Sequence, residues 1–375
     1  MKNLAIFFLD FFKICSLLCK NRKFFLTFFK KDLYYIERRN FTKEVFILIT
    51  FDSIVLYPSY SEIKSRSEVN PNSLIIDKSK LPIINANMIS LYSRDFISLL
   101  ESNNIFTSIP RIGLDVLKES IAPSGKNSNG FDINSFISIG TKKSDYNIVS
   151  RLYCNGYNRF LVDVNHGHHS MVKDMLYFLR KDIGFNGLIM AGNVSSIEGI
   201  EDLFAWGVDI VKVGNSFGSA CSTLIKTGFG VHGFHVCKEF TDRGLKDSYS
   251  KYNKYICLDG GIRCVGDIAK ALIYSDMVMV GKLFAGTTES GCEFANTENT
   301  ANKLYFGNAS AEAKRLNGDK ELRYVEGKTI EIPHTGSVVN LIKDIQEGLQ
   351  SAYSFVGAKN LEEYQQKARK CVMEV

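Results

Sequence analysis

The chain has 375 residues, 45% of them hydrophobic and 23% charged, with a formal net charge of +6 at pH 7. That length allows one large domain or two ordinary ones, and the composition is that of a folded globular protein rather than a disordered one. The charge is mild and partly owed to the first 45 residues, so it gives no grounds for a nucleic-acid partner and none is expected, although a basic balance helps to draw in phosphate-bearing ligands.

Residues 1–46 are rich in Phe and Lys and contain neither glycine nor proline. Asp10, Lys13, Lys20, Arg22 and Lys23 interrupt the apolar runs before any reaches the ~20 residues of a membrane span. No small-residue cleavage site follows an apolar core, so a signal peptide is not expected either. The stretch is expected to be a poorly ordered appendage or translated upstream sequence. An amphipathic helix lying on a membrane or partner is the alternative.

From about residue 82 onward short apolar runs rich in Ile and Val recur, with helical-looking segments between them. Strands are predicted at 82–88, 105–111, 136–141, 159–164, 187–193, 209–214, 255–261 and 277–282. Continuous rather than alternating apolar runs suit parallel strands covered on both faces. Segments such as "SMVKDMLYFLRKDIG" and "VGDIAKALIY" carry helical periodicity between them. Eight such units predict an α/β fold, a (β/α)8 TIM barrel behind an N-terminal extension. A doubly wound sheet competes, but no Gly-rich dinucleotide fingerprint follows the first strand.

On the barrel reading, Asn87, Arg111, Asp163, Asn193, Gly214, Asp259 and Gly281 fall where strands end. Those positions converge on one rim, the rim on which barrels carry their chemistry. Cys221 sits just past one of these ends, among Ser219, Ser222, Thr223 and several glycines. A thiol that only fills a core has apolar neighbours; this one has a backbone shaped for something else. The nine cysteines contain no CxxC pair and no cluster at zinc spacing, which reads as reduced thiols in a cytoplasmic protein.

The blocks "VKVGNSFGSACSTLIKTGFG", "LDGGIRCVGDIAKAL", "MVMVGKLFAGTTESG", "YFGNAS" and "VEGKTIEIPHTGSV" resemble, in order and spacing, the IMP dehydrogenase/GMP reductase family. The resemblance runs from about residue 47 to the end, with "TFDSIVLYPSYSEIKSRSEV" matching the usual opening. It implies one catalytic barrel over 47–375, and the stretch between Arg111 and Phe136 leaves no room for an inserted regulatory (CBS) domain. Only "SAEAKRLNGDKELRYVE" separates Ser310 from Glu326, too short for the family's long dehydrogenase flap. Together with "EGK" and "DVNHGHHS" this resembles the reductase branch. A dehydrogenase without its regulatory domain, and a degenerate barrel that binds nucleotides without turnover, stay open.

The resemblance implies NADPH-dependent conversion of GMP to IMP and ammonia, in purine salvage. Cys221 would attack C2 of the purine, because a thiolate is a strong nucleophile that forms a reversible adduct. Thr223 and Glu326 would manage the proton that lets the amine depart. Ser219, Gly260, Gly261, Gly281, Lys282 and Gly307 are implied at the phosphate, where glycines let backbone N–H groups converge. Asp259 is implied at the ribose hydroxyls, and Asn308, Ala309, Arg323 and Gly327 at the base.

For the cofactor the resemblance implies Arg111, Asp163, Val164, Asn165, Asn215 and Ser216, with Ser65 and Arg66 reaching a neighbouring subunit in a homotetramer. Carbonyls of Ser216, Gly218 and Cys221 match the family's potassium loop. Ser216 and Phe217 replace the usual Gly and Pro there, so the ion site stays open. Lys282 stands where a small residue is usual, and would either add a charge against the phosphate or crowd it.

Overall fold

The computed structural model describes residues 48–111, 134–295, 301–316 and 322–375. The expectations for the N-terminal stretch and for the connection after Arg111 lie outside the described residues.

After a short strand β1 (Ile54–Leu56), the chain enters eight barrel strands. They are β2 (Ile83–Asn85), β3 (Ser108–Ile109), β4 (Phe136–Ile139), β5 (Arg159–Asp163), β6 (Leu188–Val194), β7 (Ile210–Val213), β8 (Tyr255–Asp259) and β9 (Met277–Val280). Their order in the sheet is β2-β9-β8-β7-β6-β5-β4-β3, and every pairing is parallel. The fold is a (β/α)8 TIM barrel, with every predicted strand present; the one predicted over 187–193 keeps its length, one residue on, and the other seven are shorter. β4, β7 and β9 are buried at all four positions, which is why their sequences read as unbroken apolar runs.

The last seam, between β2 and β3, closes differently from the others. Ile84 pairs with Phe106 by one isolated parallel bridge. Beside it the Asn85 side chain stands in for the missing ladder. Its Oδ1 accepts from Ser108 N–H at 2.7 Å, its Nδ2 donates to Ser108 O at 2.9 Å, and the Ser108 hydroxyl returns a bond to Asn85 O at 2.7 Å. This explains why the strand predicted over 105–111 shrinks to two residues: a buried amide supplies the hydrogen bonds that backbone would have made.

The surrounding helices bury one stripe each. Arg94–Ser102 turns Phe96, Ile97 and Leu100 inward and is capped by Ser93, whose hydroxyl accepts from Phe96 N–H. Ser196 caps Ile197–Ala205 in the same way. Such caps contribute ~1 kcal/mol each. The segment predicted helical over 170–184 is an α-helix, Ser170–Tyr177, continuing as a π-turn through Asp182. At the opposite rim from the site, Asp209 and Asp276 precede strands and accept the N–H groups of Ile189 and Ile256 at 2.8 and 2.9 Å. Lys246 Nζ completes the second at 2.6 Å.

Outside the barrel, β10 (Asn302–Phe306) pairs antiparallel with β11 (Thr329–Pro333), and β1 pairs with β12 (Val372–Glu374). Phe51, just ahead of β1, is 1% exposed and packs on His232 and Phe234, each with ring centroids 5.0 Å away. Arg263 grips Asp52 with both terminal nitrogens. The chain is therefore pinned to the barrel from about residue 50 onward. A chain beginning at Leu48 is expected to fold and melt like the full-length protein. One beginning at Tyr57, which loses Phe51 and β1, should lose about 3 kcal/mol or more in denaturant unfolding. Failure of the Leu48 chain to fold would make the preceding residues part of the fold.

Candidate active site

The C-terminal ends of the barrel strands open into a cleft of about 280 Å³. All seven strand-end residues singled out above line it: Asn87, Arg111, Asp163, Asn193, Gly214, Asp259 and Gly281. The loop after β7 forms its floor. Gly214 has φ +135°, and a Cβ there would lie 2.0 Å from the carbonyl oxygen of Asp259, so only glycine lets β7 turn so close to β8. Ser216, at φ +72°, is held by its hydroxyl donating to Phe229 O at 2.8 Å.

Cys221 is fixed from two sides. Its N–H donates to Gly218 O at 2.9 Å, and the residue bridges Gly327 in antiparallel register. Ser222 N–H donates to Glu326 O at 2.7 Å and Lys328 N–H to Ala220 O at 2.9 Å. This short ladder carries Glu326 to the loop that holds Cys221. The outcome is a continuous line of proton-bearing groups: Cys221 Sγ lies 3.3 Å from Thr223 Oγ1, which donates to Glu326 Oε2 at 2.9 Å. Asn165 Nδ2 donates to the same carboxylate oxygen at 2.8 Å and fixes its orientation. Groups spaced this way are within hydrogen-bond reach of one another, the geometry that general acid–base chemistry needs.

Around the line stand the glycines. Gly260 and Gly261 have φ +94° and +82°. A Cβ on Gly261 would meet His232 Nε2 at 2.6 Å, and one on Gly281 would meet the Tyr305 hydroxyl at 2.5 Å. Their bare backbone suits an anion that needs N–H donors at close range. Burial, with help from Arg263, pushes the His232 pKa down to about 4. His232 is thus a neutral packing residue, with Phe217 edge-on at 4.9 Å. Ser219, Gly307 and the exposed Lys282 complete this side of the cleft. Asn308 is locked by donating to Asn87 O at 3.0 Å and accepting from Ile89 N–H at 3.2 Å. Ala309 O receives the N–H groups of Glu326 and Gly327, both at 3.1 Å.

Sequence reasoning missed the electrostatic centre. Lys212, on β7, is 3% exposed in the barrel interior. Its ammonium donates to Asp163 Oδ1 at 2.9 Å and to Asp259 Oδ2 at 3.1 Å. Asn193 Nδ2 adds a 2.8 Å bond to Asp259 Oδ2. Burial works to raise the Asp163 pKa, but Lys212 and Arg111 outweigh it and hold the carboxyl below its usual range. Burial likewise opposes the charge on Lys212, and the two carboxylates overcome it and raise its pKa. The available signal was the lysine inside the otherwise apolar "IVKV", a position where an unpaired cation would be costly. Nearby, Asn87 stands beside Asp163 and its side chain helps to hold that carboxyl down.

Val164, Asn165, Asn215, Ser216 and Gly218 line the same cleft, as do Ala309 and Gly327. Three expected site residues do not. Ser65 caps a short 3-10 turn that begins at Arg66, and Arg323 lies outside the cleft lining. Among the described residues there is no His/Cys/Asp/Glu group of three or more that could hold a metal ion, and no helix long and apolar enough to cross a membrane.

Residues 125–374 match the family model described as IMP dehydrogenase / GMP reductase domain. The chain is 34% identical over 316 residues to a GMP reductase of Mesoplasma florum, covering 83% of this chain and 93% of that one. It is 33% identical over 318 residues to a GMP reductase of Paracidovorax citrulli, with 84% and 93% covered. With a GMP reductase of Mycoplasma mycoides the identity is 31% over 319 residues, with 84% and 95% covered.

The lowered Asp163 pKa fixes the sign of one pH dependence. Its contribution to stability is fully present above the ordinary carboxylate pKa of about 3.9, and it is lost as pH falls through the lower folded value. The melting temperature should therefore drop on acidification below about pH 4, and Asp163→Asn should flatten that limb. An acid limb equally steep in Asp163→Asn would show that the network contributes nothing there.

Proposed function

Because the chain belongs to the IMP dehydrogenase/GMP reductase family, we propose that its cleft carries out the reductive deamination of GMP to IMP and ammonia. The observation that carries this reading is the Cys221–Thr223–Glu326 line at the floor of a glycine-rimmed cleft, which argues for turnover rather than passive binding. The thiolate of Cys221 adds to C2 of the purine, and the ring electrons then expel the exocyclic amine. Thr223 and Glu326 together deliver the proton with which the amine leaves as neutral ammonia. When bound, NADPH supplies the hydride that replaces the amine at C2. Departure of IMP restores the thiolate.

Substrate recognition follows from the cleft walls. Gly260, Gly261, Gly281, Gly307 and Ser219 offer backbone and hydroxyl donors to the phosphate, and Lys282 adds a cation. Asp259 keeps one carboxylate oxygen for the ribose diol. Asn308, Ala309 and Gly327 border the base. Arg111, Asp163, Val164, Asn165, Asn215 and Ser216 are the cofactor-side residues. Ser65, Arg66 and Arg323, outside the cleft, are assigned to contacts made on closure or by a neighbouring subunit of a tetramer. Neutral carbonyls of Ser216, Gly218 and Cys221, with no acidic cluster, suit a monovalent cation better than a divalent one. Potassium held there would stiffen the nucleophile loop. Unpaired cysteines at every described position fit a cytoplasmic enzyme.

Purified protein is expected to oxidise NADPH only when GMP is added, with ammonia and IMP as products, and to make no XMP from IMP and NAD. XMP formation without GMP-dependent NADPH loss would move the chain to the dehydrogenase branch. Inertness in both assays with GMP still bound would make it a binding protein.

Two substitutions test the floor of the cleft. Cys221→Ser should bind GMP near wild-type affinity and lose turnover by orders of magnitude. Thr223→Ala should lower kcat by about 10²–10⁴ with little change in KM. A Cys221→Ser protein that keeps most of its rate would contradict the covalent route.

A further inference from the structure

Lys212 is only 3% exposed and does not belong to the proton line, yet it sits between the two carboxylates to which opposite ligands are assigned. Each carboxylate spends one oxygen on it: Asp163 gives Oδ1 at 2.9 Å and Asp259 gives Oδ2 at 3.1 Å. Asp259 Oδ2 is further held by Asn193 at 2.8 Å. The second oxygen of each is left to the cleft, which both residues line. The groups facing this centre come from every neighbouring element: Asp163 on β5, Asn193 on β6, Asp259 and the buried neutral thiol of Cys257 on β8. Asn87 and Arg111 flank Asp163. Lys212 stands between these two half-buried carboxylates, 13% and 22% exposed, and without it they would face each other as like charges.

We propose that Lys212 is a positioning residue that keeps the Asp259 carboxylate aimed, so that the ribose diol of GMP is read by an oxygen whose direction a buried lysine sets. The same ammonium sets Asp163 toward the cofactor side, so one side chain aligns both halves of the cleft. A carboxylate fixed on one oxygen by two donors presents the other at a defined angle, and a diol can then donate both hydroxyls to it. The inference rests on the assignment of the cleft to GMP.

The test crosses the lysine with the ligand hydroxyls, by calorimetric titration of the full-length protein with GMP and with 2′,3′-dideoxy-GMP. Wild type should bind the dideoxy nucleotide at least ~10-fold more weakly, as expected when a built polar contact is left unpaired. In Lys212→Met that penalty should shrink to less than ~3-fold, because the diol no longer finds an oriented carboxylate. Lys212→Arg should restore most of it. A merely structural role would weaken both nucleotides by the same factor and leave the penalty intact, which would overturn the proposal. If Lys212→Met does not fold, Lys212→Met with Asp163→Asn removes one charge of each sign, and the same contrast is expected. Wild type that binds both nucleotides equally would overturn this inference alone. Wild type that binds neither would overturn the GMP assignment and this inference with it.

Discussion

The pairing of residues 220–222 with 326–328 is the constraint on which the rest of the site depends. It amounts to one isolated bridge, Cys221 to Gly327, and the two flanking hydrogen bonds. Everything else in the chemistry is a consequence of its register. A shift by one residue would swing the Glu326 carboxylate to the other face and leave Thr223 with no acceptor at 2.9 Å. Gly327 itself cannot be larger, since a Cβ there would lie 2.6 Å from Ser310 N. The glycine therefore fixes how closely the loop carrying Glu326 approaches the one carrying Cys221.

Beneath that ladder the barrel contributes a second, electrostatic layer. A TIM barrel normally fills its centre with branched apolar side chains. Here β7 inserts an ammonium at its middle, bonded by carboxylates from β5 and β8. Breaking such a buried pair by removing one partner is costly, so the arrangement holds the upper barrel to one geometry. The glycine-rich turns above can then be permissive in backbone while remaining fixed in position. The two layers meet at Asp259, whose carbonyl forbids any side chain on Gly214 and whose carboxylate answers to Lys212.

Much of this was legible beforehand, and the reasons differ by element. The eight strands could be read because burial on both faces writes an unbroken apolar run. Their ends could be read as a site because a parallel barrel gathers them. The partnership of Cys221, Thr223 and Glu326 came from resemblance alone. Nothing local in the chain predicts that a glutamate so far along would meet the cysteine, since that contact is set by a two-sided bridge outside the barrel. β3 was overestimated because an asparagine side chain can replace a ladder without changing the apolar pattern. β10 and β11 were not anticipated; β10 alternates buried and half-buried positions over only five residues, and its partner lies beyond a helix. Lys212 was passed over because a lone lysine in a strand reads as an edge residue until its two acidic neighbours, on other strands, are brought beside it.

The central claim is that Cys221 bonds covalently to the purine while Glu326 and Thr223 move the leaving proton. Intact-mass spectrometry of the acid-quenched protein, mixed with GMP in the absence of NADPH, tests it most directly. The account predicts a species heavier than the free chain by one GMP less one ammonia. Peptide mapping should place the added mass on Cys221, and the species should vanish when NADPH is included. A protein that consumes NADPH with GMP while never carrying that mass on Cys221, under quench times shorter than one turnover, would contradict the covalent role of the thiol.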